Sequence, residues 1–522
     1  HRGIVCRIRV DEHATHETLG LGEVILERRV VTSSDDRTAV VSALTAHFFD
    51  RTLRTATLVP LVRTAAHPRR IWDAMFVRSD LFVSDLLGSP QSEFSIDGQH
   101  GRERHHVFVT ACEDGRVRLF RHPRGVACPS PEATAAVVPA LVAIAVTESH
   151  VGCLTLGAPP DVQVGRGDAA CRLQAVVVGT GNALLSRPFL ALPATTCSMT
   201  QRSNDDESGG VVASQRTHRA GGIAVRGVHC VPLRHAGAHP MVLAALSDGS
   251  VVARSGSVAE GPRLPDADEA PPGGGFSFQK TMAFGLLPAE LPTVLSAVVL
   301  PDSTASLGVS VTERVLVVMG GTLGSVRMGC VESSGAADGS LRWWPAVTEL
   351  PQSGRLSSSS PTTTTERLDG AGQARGGRGR ITSVAMIWLP PLPCDDALGK
   401  EEKQPPTRQE GMQPHHHHAV ALLAVSDARR GLSLHVLSVT NDTTIHVRGS
   451  TVIPPVTTGS ATAPPLAQLK LIALANRSSA LLLSCEAHRT AAAAVRLVAV
   501  TGLIGLDPSR VPTSSPLPAC HL

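Results

Sequence analysis

Residues 105–123 read HHVFVTACEDGRVRLFRHP and carry the clearest structural signal in the sequence. Residues 107–111 are β-prone, and the following Asp114-Gly115 dipeptide closes tight hairpins because both positions reach positive φ at little cost. After the turn, residues 116–120 alternate arginine with apolar residues, which places the apolar side chains on one face. The stretch therefore predicts a β-hairpin with one buried face.

The outline of this hairpin recurs along the chain. Five further segments pair two apolar runs across a short turn or, in the last of them, a longer connection. They are residues 172–189, 239–256 (turn at Asp248-Gly249), 313–329, 419–439 (turn at Asp427) and 478–500. Another strand-like run precedes several of them, at residues 222–232, 292–301, 380–390 and 464–474. The recurring unit is a strand, a variable loop and a hairpin, which is typical of β-propeller blades.

The predicted fold class is thus all-β, a propeller of about seven four-stranded blades, with parts of two propellers as the alternative. The turns recur every ~60 to 105 residues, against roughly 40–45 for a compact blade, so we expect long insertions. Polar segments rich in Gly, Ser and Pro predict disordered loops near residues 200–222, 257–280, 345–380 and 391–418. The propeller spans 66–505 in this interpretation, and 506–522 is a disordered tail. Residues 1–65 fit no blade well and are interpreted as the end of a preceding propeller or as a first blade.

Composition bounds the function classes. The 522 residues are 42% hydrophobic and 18% charged, which is typical of globular proteins, and a net charge of +3 does not argue for nucleic-acid binding. Eleven cysteines without a CxxC pair favour a reducing compartment, the cytoplasm or also the nucleus. No apolar run approaches the roughly 18 residues of a membrane span, so no membrane insertion is expected. The chain begins with His1, which indicates a fragment.

Three hairpin cores give the sequence a family resemblance: TACEDGRVRLF (110–120), AALSDGSVVAR (244–254) and LLAVSDARRGLSLHVL (422–437). They resemble WD-repeat proteins, in which a strand of small residues leads into an Asp-Gly turn and out along an apolar strand. Trp72-Asp73 is the one Trp-Asp dipeptide, and the usual Gly-His start is absent, so the chain resembles a divergent member. The resemblance implies a non-catalytic protein that binds other proteins.

One branch of that family has segments in a similar order. Residues 71–122, 173–188, 381–439 and 481–501, about a third of the chain, resemble blades of the WD-repeat partner subunit of the eukaryotic tRNA ribose-2′-O-methyltransferase that acts on the anticodon loop. Two departures are Glu486-Ala487 in place of Asp-Gly and the long insertions. The resemblance implies an adaptor that binds the methyltransferase and presents tRNA to it. The alternative is a generic WD-repeat interaction scaffold of a trafficking, chromatin or pore complex.

Motifs for catalysis or cofactor binding are weak. The sequence has no GxSxG, HExxH or Walker lysine, and glycine-rich residues 179–184 and 320–325 fit hairpin turns better than dinucleotide loops. We predict no catalytic residue, cofactor or metal, and interpret His415–His418 as low complexity. A propeller hydrolase or lyase would need polar side chains converging from the innermost strands, whereas residues 294–299 and 381–388 are mostly apolar.

The candidate site residues belong to two groups. Asp114, Gly115, Asp248, Gly249 and Asp427 are predicted to stabilise blade turns, because Asp bonds its own backbone there. Arg375, Arg378 and Arg380 lie in an arginine–glycine segment and are candidate RNA contacts, since guanidinium groups bind phosphate and stack on unpaired bases. A flexible loop is the alternative for that segment.

Overall fold

The computed structural model describes about half of the chain. The described residues are 1, 3–11, 16–19, 23–49, 52–77, 105–123, 135–145, 151–157, 172–179, 184–190, 225–233, 241–255, 278–300, 312–334, 341–350, 379–389, 419–428, 431–440, 444–453, 466–473, 480–487 and 494–500. Within these ranges the regular elements are β-strands arranged in seven sheets.

The first sheet has six strands and differs from the rest. Its order is β1-β3-β4-β5-β9, with β2 paired to β3, and its last pairing, β5 with β9, is parallel. Its strands are β1 (Val5–Val10), β2 (His16–Leu19), β3 (Glu23–Ser34), β4 (Ala39–Phe49), β5 (Thr52–Thr64) and β9 (Ala136–Val138).

In the described residues, sheets 2 to 7 are six antiparallel blades of three to five strands. The strands of each blade are consecutive along the chain, except that β9 of sheet 1 intervenes between β8 and β10 of sheet 2. Sheet 2 consists of β6 (Ile71–Val77), β7 (His105–Cys112), β8 (Arg116–Pro123) and β10 (Val142–Ala145), and sheet 3 of β11 (Val151–Gly157), β12 (Arg172–Gly179) and β13 (Leu184–Leu190). Sheet 4 consists of β14 (Val225–Val231), β15 (Met241–Leu246), β16 (Ser250–Ser255) and β17 (Phe278–Ala283). Sheet 5 consists of β18 (Pro292–Leu300), β19 (Thr312–Gly321), β20 (Val326–Ser334), β21 (Leu341–Trp343) and β22 (Thr348–Glu349). Sheet 6 consists of β23 (Ile381–Leu389), β24 (Ala419–Asp427), β25 (Gly431–Val439) and β26 (Ile445–Ile453), and sheet 7 of β27 (Leu466–Ala473), β28 (Ala480–Ala487) and β29 (Ala494–Val500).

The seven sheets are arranged in a ring. Strands β1, β6, β11, β14, β18, β23 and β27 each contact the next in this order, and β27 contacts β1. They are therefore the innermost strands and enclose a central channel. Apolar side chains of alternating strand positions fill the space between neighbouring sheets. The core between sheets 5 and 6, for example, includes Leu316, Met328, Leu423 and Leu437.

This arrangement confirms the predicted fold class, an all-β propeller. Each of the six predicted hairpins is present, and residues 222–232, 292–301, 380–390 and 464–474 contain the innermost strands β14, β18, β23 and β27. Residues 1–65, which fitted no blade pattern, contain the five strands β1–β5, of which β3, β4 and β5 are long. Phe278–Lys280 and Thr348–Glu349 are strand residues inside two segments predicted as insertions. Most of the predicted insertions and the predicted tail, 506–522, lie outside the described residues.

A one-residue shift in register occurs at the start of six innermost strands. The second residue of each is skipped in the pairing with the neighbouring strand, as in a β-bulge. The skipped residues are Cys6, Trp72, Gly152, Arg226, Thr293 and Thr382. All six bulges lie at the end of the ring where the second and third strands of a blade are joined, so this end surrounds one mouth of the channel.

Candidate functional site

One end of the ring, which we call the turn face, carries the hairpin turns between the second and third strands and the segments that lead into the innermost strands. In sheets 2, 5 and 6, a backbone hydrogen bond joins the turn to such a segment in the same way. Glu113 N donates to Arg70 O, Thr322 N to Leu291 O and Ala428 N to Arg380 O, each at 2.9 Å. The turn face is therefore a surface of loops fixed on a rigid scaffold, which is where binding residues are commonly found.

The predicted turn residues lie on this face. Asp114 Oδ1 accepts a hydrogen bond from Arg116 N at 3.1 Å, and Gly115 has φ of 78°. Both carboxylate oxygens of Asp114 also accept hydrogen bonds from Arg118. Burial raises the pKa of Asp114, but its hydrogen bonds and the charge of Arg118 outweigh that effect and lower the pKa below its usual range. Asp114 thus stabilises the turn as a carboxylate.

The other two turns differ in detail. Asp248 Oδ1 accepts hydrogen bonds from Ser250 N at 2.9 Å and from Ser250 Oγ at 2.6 Å, and Gly249 has φ of 79°. Asp427 is the last residue of β24 and pairs with Gly431, which has φ of 84°. A positive φ at these glycines is the conformation that a side chain would disfavour.

His67, which sequence reasoning missed, lies in the segment before β6. Its Nε2 hydrogen-bonds to Thr110 Oγ1 at 2.9 Å, and its ring lies 5.7 Å from that of Phe120. Burial and the positive charge of Arg118 lower its pKa to about 4, so the ring is neutral at physiological pH. The residue before it is Ala66, so the sequence offers no Gly-His dipeptide to mark it.

Three exposed leucines form a patch on the turn face between sheets 4 and 5. Leu287, Leu291 and Leu323, hereafter the leucine patch, are 39%, 37% and 45% exposed. Their backbones are held around Glu290, which is only 4% exposed. Its carboxylate accepts hydrogen bonds from the backbone N–H groups of Leu287 at 3.2 Å, Leu323 at 3.0 Å and Ser325 at 3.0 Å. A buried carboxylate therefore fixes a surface whose side chains are apolar and exposed.

A second polar arrangement lies on the innermost strands and is centred on Asp73 of β6, which is fully buried. Asp73 accepts hydrogen bonds from Arg9 Nε of β1 at 3.0 Å, from Thr155 Oγ1 of β11 at 3.0 Å and from Leu156 N of β11 at 3.0 Å. Burial raises the pKa of Asp73, but Arg9, Arg7 and these hydrogen bonds outweigh burial and hold the pKa below its usual range. One carboxylate therefore joins sheets 1, 2 and 3, and with all its hydrogen bonds it is poorly suited to accept a proton.

His229 of β14 extends this arrangement across the channel. Burial, together with the charges of Arg7, Arg9 and Lys470, lowers the pKa of His229 to about 3. Arg7 and Arg9 belong to β1 and Lys470 to β27, whereas β14 lies three sheets away around the ring from each of these strands. Charges carried by β1 and β27 therefore act on a histidine of β14 across the ring. We call Arg7, Arg9, Asp73, His229 and Lys470 the channel cluster.

The channel cluster lies on innermost strands other than those weighed for a catalytic site in the sequence. Residues 294–299 of β18 and 381–388 of β23 are mostly apolar, as expected. Charged or titratable residues of the cluster lie instead on β1, β6, β14 and β27. Asp73 is occupied by its hydrogen bonds, and the low pKa of His229 keeps its ring neutral, so neither group is suited to exchange a proton near neutral pH. Single charged residues on separate strands gave no local signal of this convergence.

The candidate RNA contacts are only partly placed. Arg380 is exposed, and its carbonyl joins the segment before β23 to the turn after β24. Arg375 and Arg378 lie outside the described residues, as do His415–His418. In the described part of the chain, no three His, Cys, Asp or Glu side chains converge to hold a metal ion. The described residues also include no helix with the length and apolar character needed to cross a membrane.

In comparisons with known proteins, this chain resembles solved structures but matches no sequence. No protein-family model and no curated protein matches the sequence. The WD40 domain of SCAP from fission yeast is a similar solved structure, with 7% identity and a TM-score of 0.32 over 95% of this chain and 84% of that one. Drosophila Plexin A in complex with Semaphorin 1b is another, with 8% identity and a TM-score of 0.32 over 96% of this chain and 87% of that one. The class of the protein, an all-β propeller, is defined by its own strand order and ring of sheets.

Proposed function

We propose that the protein is an interaction scaffold whose turn face binds a partner protein. The observation that carries this proposal is the leucine patch, because exposed apolar side chains that lie together are typical of protein-binding surfaces. Glu290 fixes the backbone of the patch before any partner arrives, so little conformational entropy is lost on binding.

The surroundings of the patch indicate the chemistry of the partner. Gly249 packs against Leu286, next to the patch, so the turn that carries exposed Asp248 lies beside it. A partner segment with apolar side chains for the leucines and a Lys or Arg facing Asp248 fits this surface. The apolar contacts would supply affinity, and the charge pair would set orientation and association rate.

A comparison of variants of the full chain tests the proposal. The tagged wild type, Leu291→Ser/Leu323→Ser and the control Val452→Ser are purified from cells, and retained proteins are quantified. Val452 is 49% exposed but lies on β26, away from the patch. We expect at least one partner to remain with the wild type and control and to be lost from the double variant. With that partner purified, the double substitution should weaken binding about 10- to 100-fold. Retention of the same proteins by all three chains, or of none by the wild type, would contradict the proposal.

The narrower proposal is that the partner is a tRNA 2′-O-methyltransferase and that the protein supports methylation of the tRNA anticodon loop. It rests on the sequence resemblance of residues 71–122, 173–188, 381–439 and 481–501 alone. In this role Arg375, Arg378 and Arg380 would contact tRNA, and the protein would act in the cytoplasm or also in the nucleus.

Two measurements separate this role from a general scaffold. Loss of the gene should abolish ribose methylation of the anticodon loop, and unchanged methylation would exclude the role. Binding of tRNA to the complex should weaken steeply with salt, and replacing the three arginines with glutamine should make that dependence shallower.

A further inference from the structure

Residues 135–145, hereafter the rim segment, lie on the outside of the ring where sheet 1 meets sheet 2. The segment reads AAVVPALVAIA and contains no charged or hydrogen-bonding side chain. Its first strand, β9, is the outermost strand of sheet 1, and its second, β10, is the outermost strand of sheet 2. The rim segment therefore joins the outer edges of two neighbouring sheets.

The rim segment is exposed along its length. Val137 is 66% exposed and Leu141 is 38% exposed. The other exposed residues of the segment are Ala136, Pro139, Ala140, Ala143 and Ala145. Edge strands are commonly protected by charged side chains or by proline within the strand, and β9 and β10 contain neither. An exposed apolar run of this kind is typical of an interaction surface.

The backbone of β10 offers hydrogen-bonding groups at this surface. One edge of β10 pairs with β8, from Val142 opposite Leu119 to Ala145 opposite Arg116. Among the described strands, none pairs with the other edge. The N–H and C=O groups of a strand alternate between its two edges, so about half of those of β10 point to the open edge. An extended segment of another chain can pair with them by adding one strand to the sheet.

The charge beside this open edge is positive. Arg116 and Ala145 are register partners, so their side chains lie on the same face of sheet 2, and both are exposed. The two acids of the adjacent turn are already paired with other arginines. Glu113 Oε2 lies 3.2 Å from Arg70 Nε, and Asp114 forms an ion pair with Arg118.

A second arginine lies at the other end of the rim segment. Arg63 of β5 is the register partner of Val137 in β9, and its side chain is also exposed. The apolar rim segment is thus bordered by Arg63 at one end and by Arg116 at the other.

We infer that the open edge of β10 binds an extended segment of a partner protein, apolar at its centre and acidic at its ends. The segment would pair with the backbone of β10, cover the exposed apolar side chains and place its acids near Arg116 and Arg63. A second copy of the rim segment fits less well, because it would bring arginines against arginines. A lipid surface fits less well because it supplies no partners for the open backbone groups of β10. This surface is separate from the leucine patch on sheets 4 and 5 and does not depend on it.

Fluorescence anisotropy on the full chain tests the inference with three labelled peptides. The probe EVTVSVTE is β-prone and carries an acid at each end. KVTVSVTK reverses its charge, and EVTVPVTE has a central proline, which lacks the N–H that strand pairing needs. The edge is short, so we expect a Kd for the probe between about 10 μM and 1 mM. Both other peptides should bind at least about fivefold more weakly.

Variants of the chain test the two kinds of contact. Arg63→Glu/Arg116→Glu should weaken binding of EVTVSVTE and strengthen binding of KVTVSVTK, so that the preference is reversed. The matched control is Arg226→Glu/Arg342→Glu, which makes the same change in net charge at exposed positions of sheets 4 and 5. Val137→Ser/Leu141→Ser should weaken binding of the probe about 3- to 10-fold through lost apolar contact. Circular dichroism shows that each variant is folded, and the comparison of peptides on the wild type stands without the variants.

The other occupants are distinguished in the same experiment. Co-sedimentation with phosphatidylserine-containing vesicles detects a lipid surface, and analytical ultracentrifugation detects a second copy. Binding of vesicles without binding of the probe, or a dimer that Val137→Ser/Leu141→Ser abolishes, would overturn the inference. No binding of the probe at about 1 mM, equal affinity for any two of the peptides on the wild type, or an unchanged preference in folded Arg63→Glu/Arg116→Glu would overturn it as well.

Discussion

Replacement of Asp73 is expected to weaken the ring more than replacement of any other acid described above. The Asp73 carboxylate is fully buried and joins three sheets through Arg9, Thr155 and Leu156 N. Asp73→Leu would leave Arg9, which is 27% exposed, without its counter-charge and Leu156 N–H without its acceptor. Loss of one partner of a buried ion pair costs about 3–5 kcal/mol of unfolding free energy, so a loss in this range is expected.

Urea unfolding, followed by tryptophan fluorescence and by circular dichroism, measures this change. If the two signals change over the same range of urea concentration, a single unfolding free energy describes the transition. Asp248→Ala is the control, because Asp248 is exposed and loses hydrogen bonds to Ser250 alone, for which about 1 kcal/mol is expected. Arg9→Met/Asp73→Leu should be more stable than Asp73→Leu, because the double variant no longer contains an Arg9 guanidinium deprived of the Asp73 carboxylate. If the two substitutions are additive within about 0.5 kcal/mol, Asp73 and Arg9 do not act as a pair and the reasoning is refuted.

The same pair makes stability depend on pH. The pKa of Asp73 is held below its usual value of 3.8, so the stabilisation is complete above about pH 4 and is lost as the pH falls through the lower value of the folded state. Asp73→Leu should therefore lose less stability than the wild type on acidification below about pH 4. An equal loss in both chains would show that other groups dominate acid unfolding.

Three further predictions concern other sheets. Glu290→Gln should lower the unfolding free energy by about 1–3 kcal/mol and speed hydrogen exchange in the leucine patch, since three backbone N–H groups share its carboxylate; unchanged exchange would contradict this. Gly320→Ala should lower the unfolding free energy, measured in urea, by about 1–3 kcal/mol, because the new Cβ would lie 2.5 Å from Ile381 Cγ2. Gly227→Ala is the control and should lower it less, because the atom nearest to its new Cβ is 3.7 Å away. Burial lowers the pKa of His435 to about 4, so its contribution is complete above about pH 6.5 and is lost towards pH 4. His435→Leu should flatten the pH dependence of unfolding free energy in that window, and an unchanged slope would argue against a buried neutral ring.

The sequence predicts those parts of the fold that are encoded locally. Asp114-Gly115 and Asp248-Gly249 mark their hairpins because a turn that needs positive φ selects these residue types. In the turn between β3 and β4 the residue with positive φ is Arg37, at 69°, and not a glycine. That turn therefore lacks the Asp-Gly dipeptide that marks those two hairpins in the sequence. This is one reason that residues 1–65 gave no blade pattern although they contain long strands.

The candidate sites could not be predicted because they depend on long-range packing. His229 and Arg7 are more than 200 residues apart, and each looks like an ordinary polar residue of a strand. Leu287 and Leu323 are exposed because Glu290 holds the backbone of both segments, and neither segment signals this contact. Closure of the ring brings residues of distant strands close to one another. No local sequence pattern indicates which residues this closure brings together.

The junctions between blades explain why the repeat is clear in geometry and faint in sequence. Asp73 and Ser383 occupy the same position of two blades, directly after the bulge of the innermost strand. Each accepts a backbone N–H from the innermost strand of the next blade, Leu156 N at 3.0 Å and Leu469 N at 3.1 Å. At the equivalent position of β14, Gly227 lies where an added Cβ would be 3.7 Å from Leu295 of the next blade, so packing replaces the hydrogen bond. The position after the bulge thus joins neighbouring blades through a carboxylate, a hydroxyl or close packing. In these three blades the contact between neighbours is kept although the residue type differs, so the bulge recurs along the chain while no residue motif marks it.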